Sequence, residues 1–175
     1  MNKAIFLDRD GVIIEDAGYP HRSEDLVLIE SILPYLQFGK EKGFLLIIVT
    51  NQSGIARGIF TVEEYERFQE YVEYILMCRN IFIDKTYYCP FHIEGNIEKY
   101  SINHNDRKPN PGMILKAIVD FDIDIELSIM IGDRESDIIQ LPGLRSYLIR
   151  GNYPVDRNIQ VYESYEEIFK DAGII

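Results

Sequence analysis

Cysteine is scarce: Cys78 and Cys89 are the only two in 175 residues, too few for a disulfide framework. Basic residues are also outnumbered. Eighteen Lys and Arg stand against 29 Asp and Glu, a formal net charge of −11. That balance repels a nucleic-acid backbone and excludes nucleic acid as an expected partner. No apolar run approaches the ~20 residues of a membrane span, so no membrane partner is expected. A secretory leader is not expected either, because the apolar stretch after Lys3 is cut short by Asp8, before a signal-peptide core is complete. Internal repeats and low-complexity linkers are missing too. What remains is a cytoplasmic protein, expected as a monomer with one domain over residues 1–175. Its 46% hydrophobic and 27% charged residues are an ordinary globular balance. A chain of this length buries roughly 70% of its unfolded surface.

An acidic protein that handles a phosphorylated ligand needs a locally basic pocket or a metal ion. The N-terminal stretch offers the second. Ala4 to Leu7 is a short apolar run followed by Asp8, Arg9, Asp10 and Gly11. A buried strand ending in acids and a turn-forming glycine fits the first strand of an open parallel sheet. Two acids at i and i+2 on such an end can share one Mg²⁺, a hard cation that takes oxygen ligands. One acid can attack phosphorus while the other moves the proton.

Along the chain, Glu15 to Asp25 reads as a loop on the ligand side, and Ile29 to Lys42 as a helix ending near Gly43. Phe44 to Val49 has the pattern of a strand buried on both faces, broken by Thr50-Asn-Gln-Ser-Gly54. Thr61-Val-Glu-Glu64 is a capping-box pattern, which predicts a long amphipathic helix to about Cys78. Ile81 to Tyr88 reads as a third strand, Cys89 to Asp106 as an inserted polar loop, and Pro111 to Asp120 as a helix. Ser128 to Ile131 is a further buried strand closed by Gly132-Asp133, and Ser146 to Ile149 the last. A short helix near Glu166 to Lys170 ends the chain. Strands alternating with helices predict an α/β fold with a Rossmann-like, doubly wound parallel sheet.

In such a sheet the strand ends converge on one crevice. Asp8 and Asp10 end the first strand, Thr50, Asn51 and Ser53 the second, and Asp133 the fourth, with Asp137 four residues on; the basic pair Arg107-Lys108 precedes the third helix. Their chemistry divides sensibly for phosphoryl transfer. Asp8 is the nucleophile and Asp10 the acid and base; Thr50 and Lys108 hold phosphoryl oxygens; Asp133 completes the Mg²⁺ site. Each part alone has a plainer explanation, since acids, threonines and lysines also serve as solvated turns and caps. Their joint order and placement do not.

These residues carry a resemblance. Asp8-Arg-Asp-Gly-Val12, the strand ending in Thr50, Lys108, and Gly132-Asp133-Arg-Glu-Ser-Asp137 resemble the four motifs of the haloacid dehalogenase-like phosphatases. Gly18-Tyr19, Val49-Thr-Asn-Gln-Ser-Gly-Ile-Ala-Arg-Gly58, Tyr87-Tyr-Cys-Pro90 and Arg107-Lys-Pro-Asn-Pro-Gly-Met113 narrow it to the D-glycero-D-manno-heptose 1,7-bisphosphate 7-phosphatases. The histidinol-phosphate phosphatases share much of the pattern. The resemblance runs from about Ile5 to Asp137. It implies a cytosolic Mg²⁺-dependent hydrolase of heptose precursor synthesis for surface polysaccharide, with short inserts and no large cap domain. It implies an aspartyl-phosphate on Asp8, and Mg²⁺ held by Asp8, Asp133 and the backbone carbonyl of Asp10. The implied substrate contacts are Arg9, Asp16, Gly18 and Tyr19, then Thr50, Asn51, Gln52 and Ser53, and the cations Arg107, Lys108 and Arg134.

The chain departs from that pattern in the loop 89–106, which occupies the place of the family's zinc loop. Cys89 stands, but Phe91 replaces a histidine, and His104 and Asp106 take the places of two cysteines. Cys89, His92, His104 and Asp106 form a set that zinc accepts by ligand type. One thiolate at shifted spacing is a weak zinc signal. The expectation is a loop held by packing of Phe91 and Tyr100, without structural zinc. The substrate expectation is a small phosphorylated sugar, first the heptose bisphosphate and second histidinol phosphate. A non-catalytic phosphosugar-binding module is the reading from outside enzymology.

Overall fold

A computed structural model describes residues 1–175. The strands β1 (Lys3–Leu7), β2 (Phe44–Asn51), β3 (Lys85–Cys89), β4 (Ile129–Gly132), β5 (Arg145–Ile149) and β6 (Val161–Tyr162) form one sheet in the order β3-β2-β1-β4-β5-β6. Every pairing is parallel. From β1 the chain builds outward through β2 and β3, then returns to the other side of β1 for β4, β5 and β6. The reversal lies between β1 and β4, and ligands of open parallel sheets gather at such a switch point. The expected doubly wound α/β fold is the one observed.

Strand alternation sorts the core into two layers. Ile5, Leu7, Leu46, Ile48, Ile129 and Ile131 face one side. There they meet Leu36 of α1 (Leu33–Glu41), Phe68, Val72 and Leu76 of α3 (Val62–Met77), and Ile168 and Phe169 of α5 (Tyr165–Asp171). Ala4, Phe6, Ile47, Val49 and Met130 face the other side, against Met113, Ile114 and Ala117 of α4 (Gly112–Phe121). With both faces covered, the strands read as continuous apolar runs.

Three expectations about the strands shift, and the helix expected from Ile29 begins as α-helix at Leu33, after a single 3-10 turn. β2 runs two residues further, because Thr50 and Asn51 pair with Tyr88 and Cys89; a four-residue helix α2 (Ser53–Ala56) follows. β3 begins at Lys85 and not at Ile81. The Asp84 carboxylate accepts the Leu46 N–H at 2.8 Å, so a side chain takes up that edge of β2 ahead of the strand. Ile81 is apolar because it packs into the core beneath the end of α3. The two-residue β6 carries too little pattern to be predicted. No helix is long and apolar enough to cross a membrane.

The capping box at the start of α3 is present: Glu64 N–H donates to Thr61 Oγ1 at 3.1 Å, and Thr61 N–H donates to Glu64 Oε2 at 2.7 Å. Thr61→Ala is expected to cost about 1 kcal/mol in urea unfolding. An unchanged unfolding midpoint would show that the box does not carry the helix start.

Candidate active site

Asp8 follows β1 and stays tied to the sheet, its N–H donating to Ile131 O of β4 at 2.9 Å. Its carboxylate is 2.9 Å from the Lys108 ammonium. Lys108 also holds Asp137 at 2.6 Å, and both side chains are almost fully buried. The lysine is placed through its backbone. Asn51, the last residue of β2, accepts Lys108 N–H at 3.0 Å and donates to Lys108 O at 3.1 Å. Asp137 is equally fixed, because its Oδ2 accepts the N–H groups of Asp133 and Arg134, each at 3.1 Å. Burial pulls the Lys108 ammonium downward, but Asp137 and Asp8 outweigh it and the net shift is upward. The lysine is therefore held charged.

Asp8, Asp133 and Asp137 bring carboxylate oxygens within 4.8 Å of one another. Both oxygens of Asp137 are already engaged, whereas Asp133 Oδ1 is buried without a hydrogen-bond partner. Burial, then the charges of Asp8 and Asp137, push the Asp133 carboxyl up to about 8. Burial and Asp137 likewise raise Asp8 against the pull of Lys108. Two glycines make room for this crowding. A Cβ on Gly11, which sits at φ +89°, would overlap the Asp133 carboxylate, and one on Gly132 would overlap Asp137. Acids concentrated against one ammonium, with an orphaned buried oxygen among them, suit a hard divalent cation.

Asp10 is built differently. Its carboxylate receives Arg9 Nε at 2.8 Å, Arg9 Nη2 at 3.1 Å and Gln52 Nε2 at 3.1 Å. Burial raises the carboxyl further than this arginine lowers it. A cation shared by the two side chains of the Asp8/Asp10 pair is thus corrected: the Asp10 carboxylate is occupied by the Arg9 fork, and Asp137 joins the acid cluster instead. Arg9 as a substrate contact is corrected too. Its side chain is wholly buried beneath the site, reaching Gln69 and Pro20 O and lying over the rings of Tyr65 and Phe68. It orders Asp10 from behind.

A cleft of about 270 Å³ opens above this floor. Asp8, Asp10, Asn51, Gln52, Ser53 and Lys108 line its base, and Asp16, Gly18, Tyr19, Arg107 and Arg134 its rim. Thr50 lies just beneath, buried, with its Oγ1 accepting from Gln52 Nε2 at 2.9 Å. Tyr19 has φ +58°, uncommon for a side-chain residue, where the Asp16 carboxylate caps the turn by accepting Gly18 N–H at 3.0 Å. Arg107 donates to Phe91 O at 3.3 Å. Ser136 and Tyr153 also line the cleft and were not predicted. Asp137 had a legible signal, a second acid four residues after Asp133. Tyr153 had none.

Of the four residues weighed for zinc, His104 and Asp106 lie 3.6 Å apart, while Cys89 and His92 have other partners. His92 accepts Glu94 N–H and meets Arg57, and the buried Cys89 thiol donates to Phe91 O. Asp106 pairs with Lys116, and His104 stacks on Phe91 at 4.3 Å. Phe91 also packs on Tyr100, with ring centroids 6.0 Å apart.

Comparisons with known proteins agree with this architecture. The family model described as "Polynucleotide kinase 3 phosphatase" matches residues 3–142. A D-glycero-beta-D-manno-heptose-1,7-bisphosphate 7-phosphatase of Pasteurella multocida is 39% identical over 168 residues, 94% of this chain and 91% of its own length. The D-glycero-alpha-D-manno-heptose-1,7-bisphosphate 7-phosphatase of Burkholderia mallei is 43% identical over 137 residues, 78% of this chain and 72% of its own. Among solved structures, a HAD-like phosphatase from Mesorhizobium loti superposes with a TM-score of 0.88 at 31% identity, covering 99% of this chain and 85% of that one. The D,D-heptose 1,7-bisphosphate phosphatase of B. bronchiseptica, complexed with magnesium and phosphate, gives a TM-score of 0.77 at 23% identity, covering 97% and 99%. The chain is a haloacid dehalogenase-like phosphatase and belongs to the family of the D-glycero-D-manno-heptose 1,7-bisphosphate 7-phosphatases.

Proposed function

We propose that this enzyme hydrolyses the 7-phosphate of D-glycero-D-manno-heptose 1,7-bisphosphate through an aspartyl-phosphate on Asp8. The observation that carries the chemistry is the Lys108 ammonium 2.9 Å from Asp8 Oδ1. Arg9 N–H donates to the same oxygen. Oδ1 is thereby held and Oδ2 is left to attack phosphorus. The bond from phosphorus to the sugar oxygen then breaks, and Asp10 gives its proton to the departing alkoxide. The raised Asp10 carboxyl suits a group that must hold a proton before the step. In the second half Asp10 takes a proton from water, which attacks phosphorus and releases Asp8 and inorganic phosphate. Lys108 steadies the phosphoryl charge in both halves.

Asp8, Asp133 and the Asp10 carbonyl, to which no backbone N–H donates, would hold Mg²⁺. Bound there, the ion offsets the repulsion between an anionic nucleophile and an anionic phosphate. The substrate assignment rests on the relatives at 39–43% identity. Their names carry both anomers, so this reading leaves the anomer open. In this reading residues 1–175 act as one catalytic domain, and packing in the loop 89–106 takes the place of zinc.

Phosphate release should be fastest with a heptose 1,7-bisphosphate among phosphomonoesters that include fructose 1,6-bisphosphate and histidinol phosphate. Preference for histidinol phosphate would keep the chemistry and remove the substrate. Asp8→Asn should lower kcat by more than about 10⁴-fold, the scale of losing a nucleophile, with no loss of thermal stability. Appreciable turnover in that variant would overturn the assignment of Asp8.

The acid cluster also predicts how metal-free stability responds to pH. A carboxyl raised from 3.8 to about 8 in the folded state binds a proton that the unfolded chain has already released. Metal-free stability therefore falls as pH rises between those values, and levels off above. In EDTA, Tm should be lower at pH 8.5 than at pH 6, and Mg²⁺ should raise it more at the higher pH. An Mg²⁺ effect independent of pH would contradict a cation site in this cluster.

A further inference from the structure

Tyr153 lies in the segment after β5, beyond the residues 3–142 that the family model covers. Its ring lies 3.7 Å from the Arg134 guanidinium carbon, and its hydroxyl donates to Asp16 Oδ2 at 2.7 Å. Arg134 Nη2 pairs with that same oxygen. Arg134, Asp16 and Tyr153 therefore form one cluster, contributed by three distant parts of the chain, and all three line the cleft. We propose that Tyr153 is a positioning residue for substrate selection, holding the Arg134 guanidinium at the mouth of the cleft for the second phosphate of a sugar bisphosphate. This rests on the substrate reading above.

The reasoning begins with the cations. Lys108, Arg107 and Arg134 are the basic side chains lining the cleft. Lys108 is committed to Asp8 and Asp137 with its side chain only 2% exposed. An anionic group away from the reacting phosphate must meet Arg107 or Arg134. Arg134 reaches across the cleft mouth to a buried acid on the opposite loop. A free arginine samples many rotamers and loses that freedom on binding. Tyr153 removes it beforehand by covering one face of the planar guanidinium, a favourable cation–π placement. Its hydroxyl meanwhile fixes the acid to which the guanidinium is paired. The outer N–H groups stay in place for an incoming phosphate; Nε is not among them, being buried 3.9 Å from Asp133 Oδ1. Tyr153 itself touches only Arg134 and Asp16, and neither Asp8, Asp10 nor Asp133, so its hydroxyl and ring act on binding and not on the bond-making step.

The test compares wild type, Tyr153→Phe and Tyr153→Ala on heptose 1,7-bisphosphate and on 4-nitrophenyl phosphate, which carries one phosphate. Tyr153→Ala should raise KM for the bisphosphate about tenfold, with kcat within about twofold and with little change for the nitrophenyl ester. Tyr153→Phe keeps the ring over Arg134 and loses only the Asp16 bond, so its KM should fall between the two. Wild-type preference for the bisphosphate that survives in Tyr153→Ala overturns this inference alone. So does a kcat that falls equally on both substrates, the mark of a loosened fold. Wild type with no preference for the bisphosphate removes the substrate reading and this inference with it.

Discussion

A single buried ammonium organises this protein's site. Lys108 Nζ lies between Asp8 and Asp137, at 2.9 and 2.6 Å, beside the point where the strand order reverses between β1 and β4. Two carboxylates this close, with Asp133 beside them, cannot share a buried space without a cation, because like charges out of water repel strongly. The ammonium satisfies two acids and leaves one oxygen of Asp133 unmet. Much of the nearby structure holds that ammonium still. Asn51 grips its backbone on both sides, and the N–H groups at the end of β4 orient Asp137. Removing Lys108 would leave a knot of negative charge where the sheet should close.

Behind this floor a second charged pair does a different job. Arg9 is wholly buried and forks onto Asp10, while Gln52 ties Asp10 to Thr50. The two acids of the first motif therefore live in separate electrostatic settings. Asp8 faces an ammonium and two further acids; Asp10 faces a guanidinium and an amide. Separate settings suit the proposed division of labour, in which one carboxyl is the nucleophile and its neighbour carries the proton. Above both, the rim cations Arg107 and Arg134 supply positive charge in a chain whose net charge is −11.

Much of the site was legible because it is built from strand ends. Continuous apolar runs marked β1, β2 and β4, and in a parallel sheet the residues that follow such runs share one edge. Asp8, Asp10 and Asp133 could be named on that ground, and Lys108 as part of a basic pair just ahead of a helix. Arg9 was misplaced for a local reason: successive side chains near a strand end point to opposite sides, so the residue between two cleft acids turns toward α3. Asp137 was visible as a second acid but not as the partner of Lys108, since their meeting depends on how β4 turns into the segment after it. The loop 89–106 showed its missing cysteines plainly. It did not show that Phe91 would stack on His104, or that Asp106 would find Lys116.

The amino-acid sequence alone determined the α/β class, the strand-end acids, the lysine ahead of α4, the capped start of α3 and the scarcity of basic charge. These follow from periodicity, turn chemistry and composition, which act over a few residues or over the whole chain. Only the tertiary structure decided which acid meets which cation. Asp16 and Tyr153 are 137 positions apart, and Asp8 and Lys108 belong to different parts of the chain. Such pairs are selected by packing and by the cost of burying an unpaired charge, neither of which has a period that can be read along a sequence.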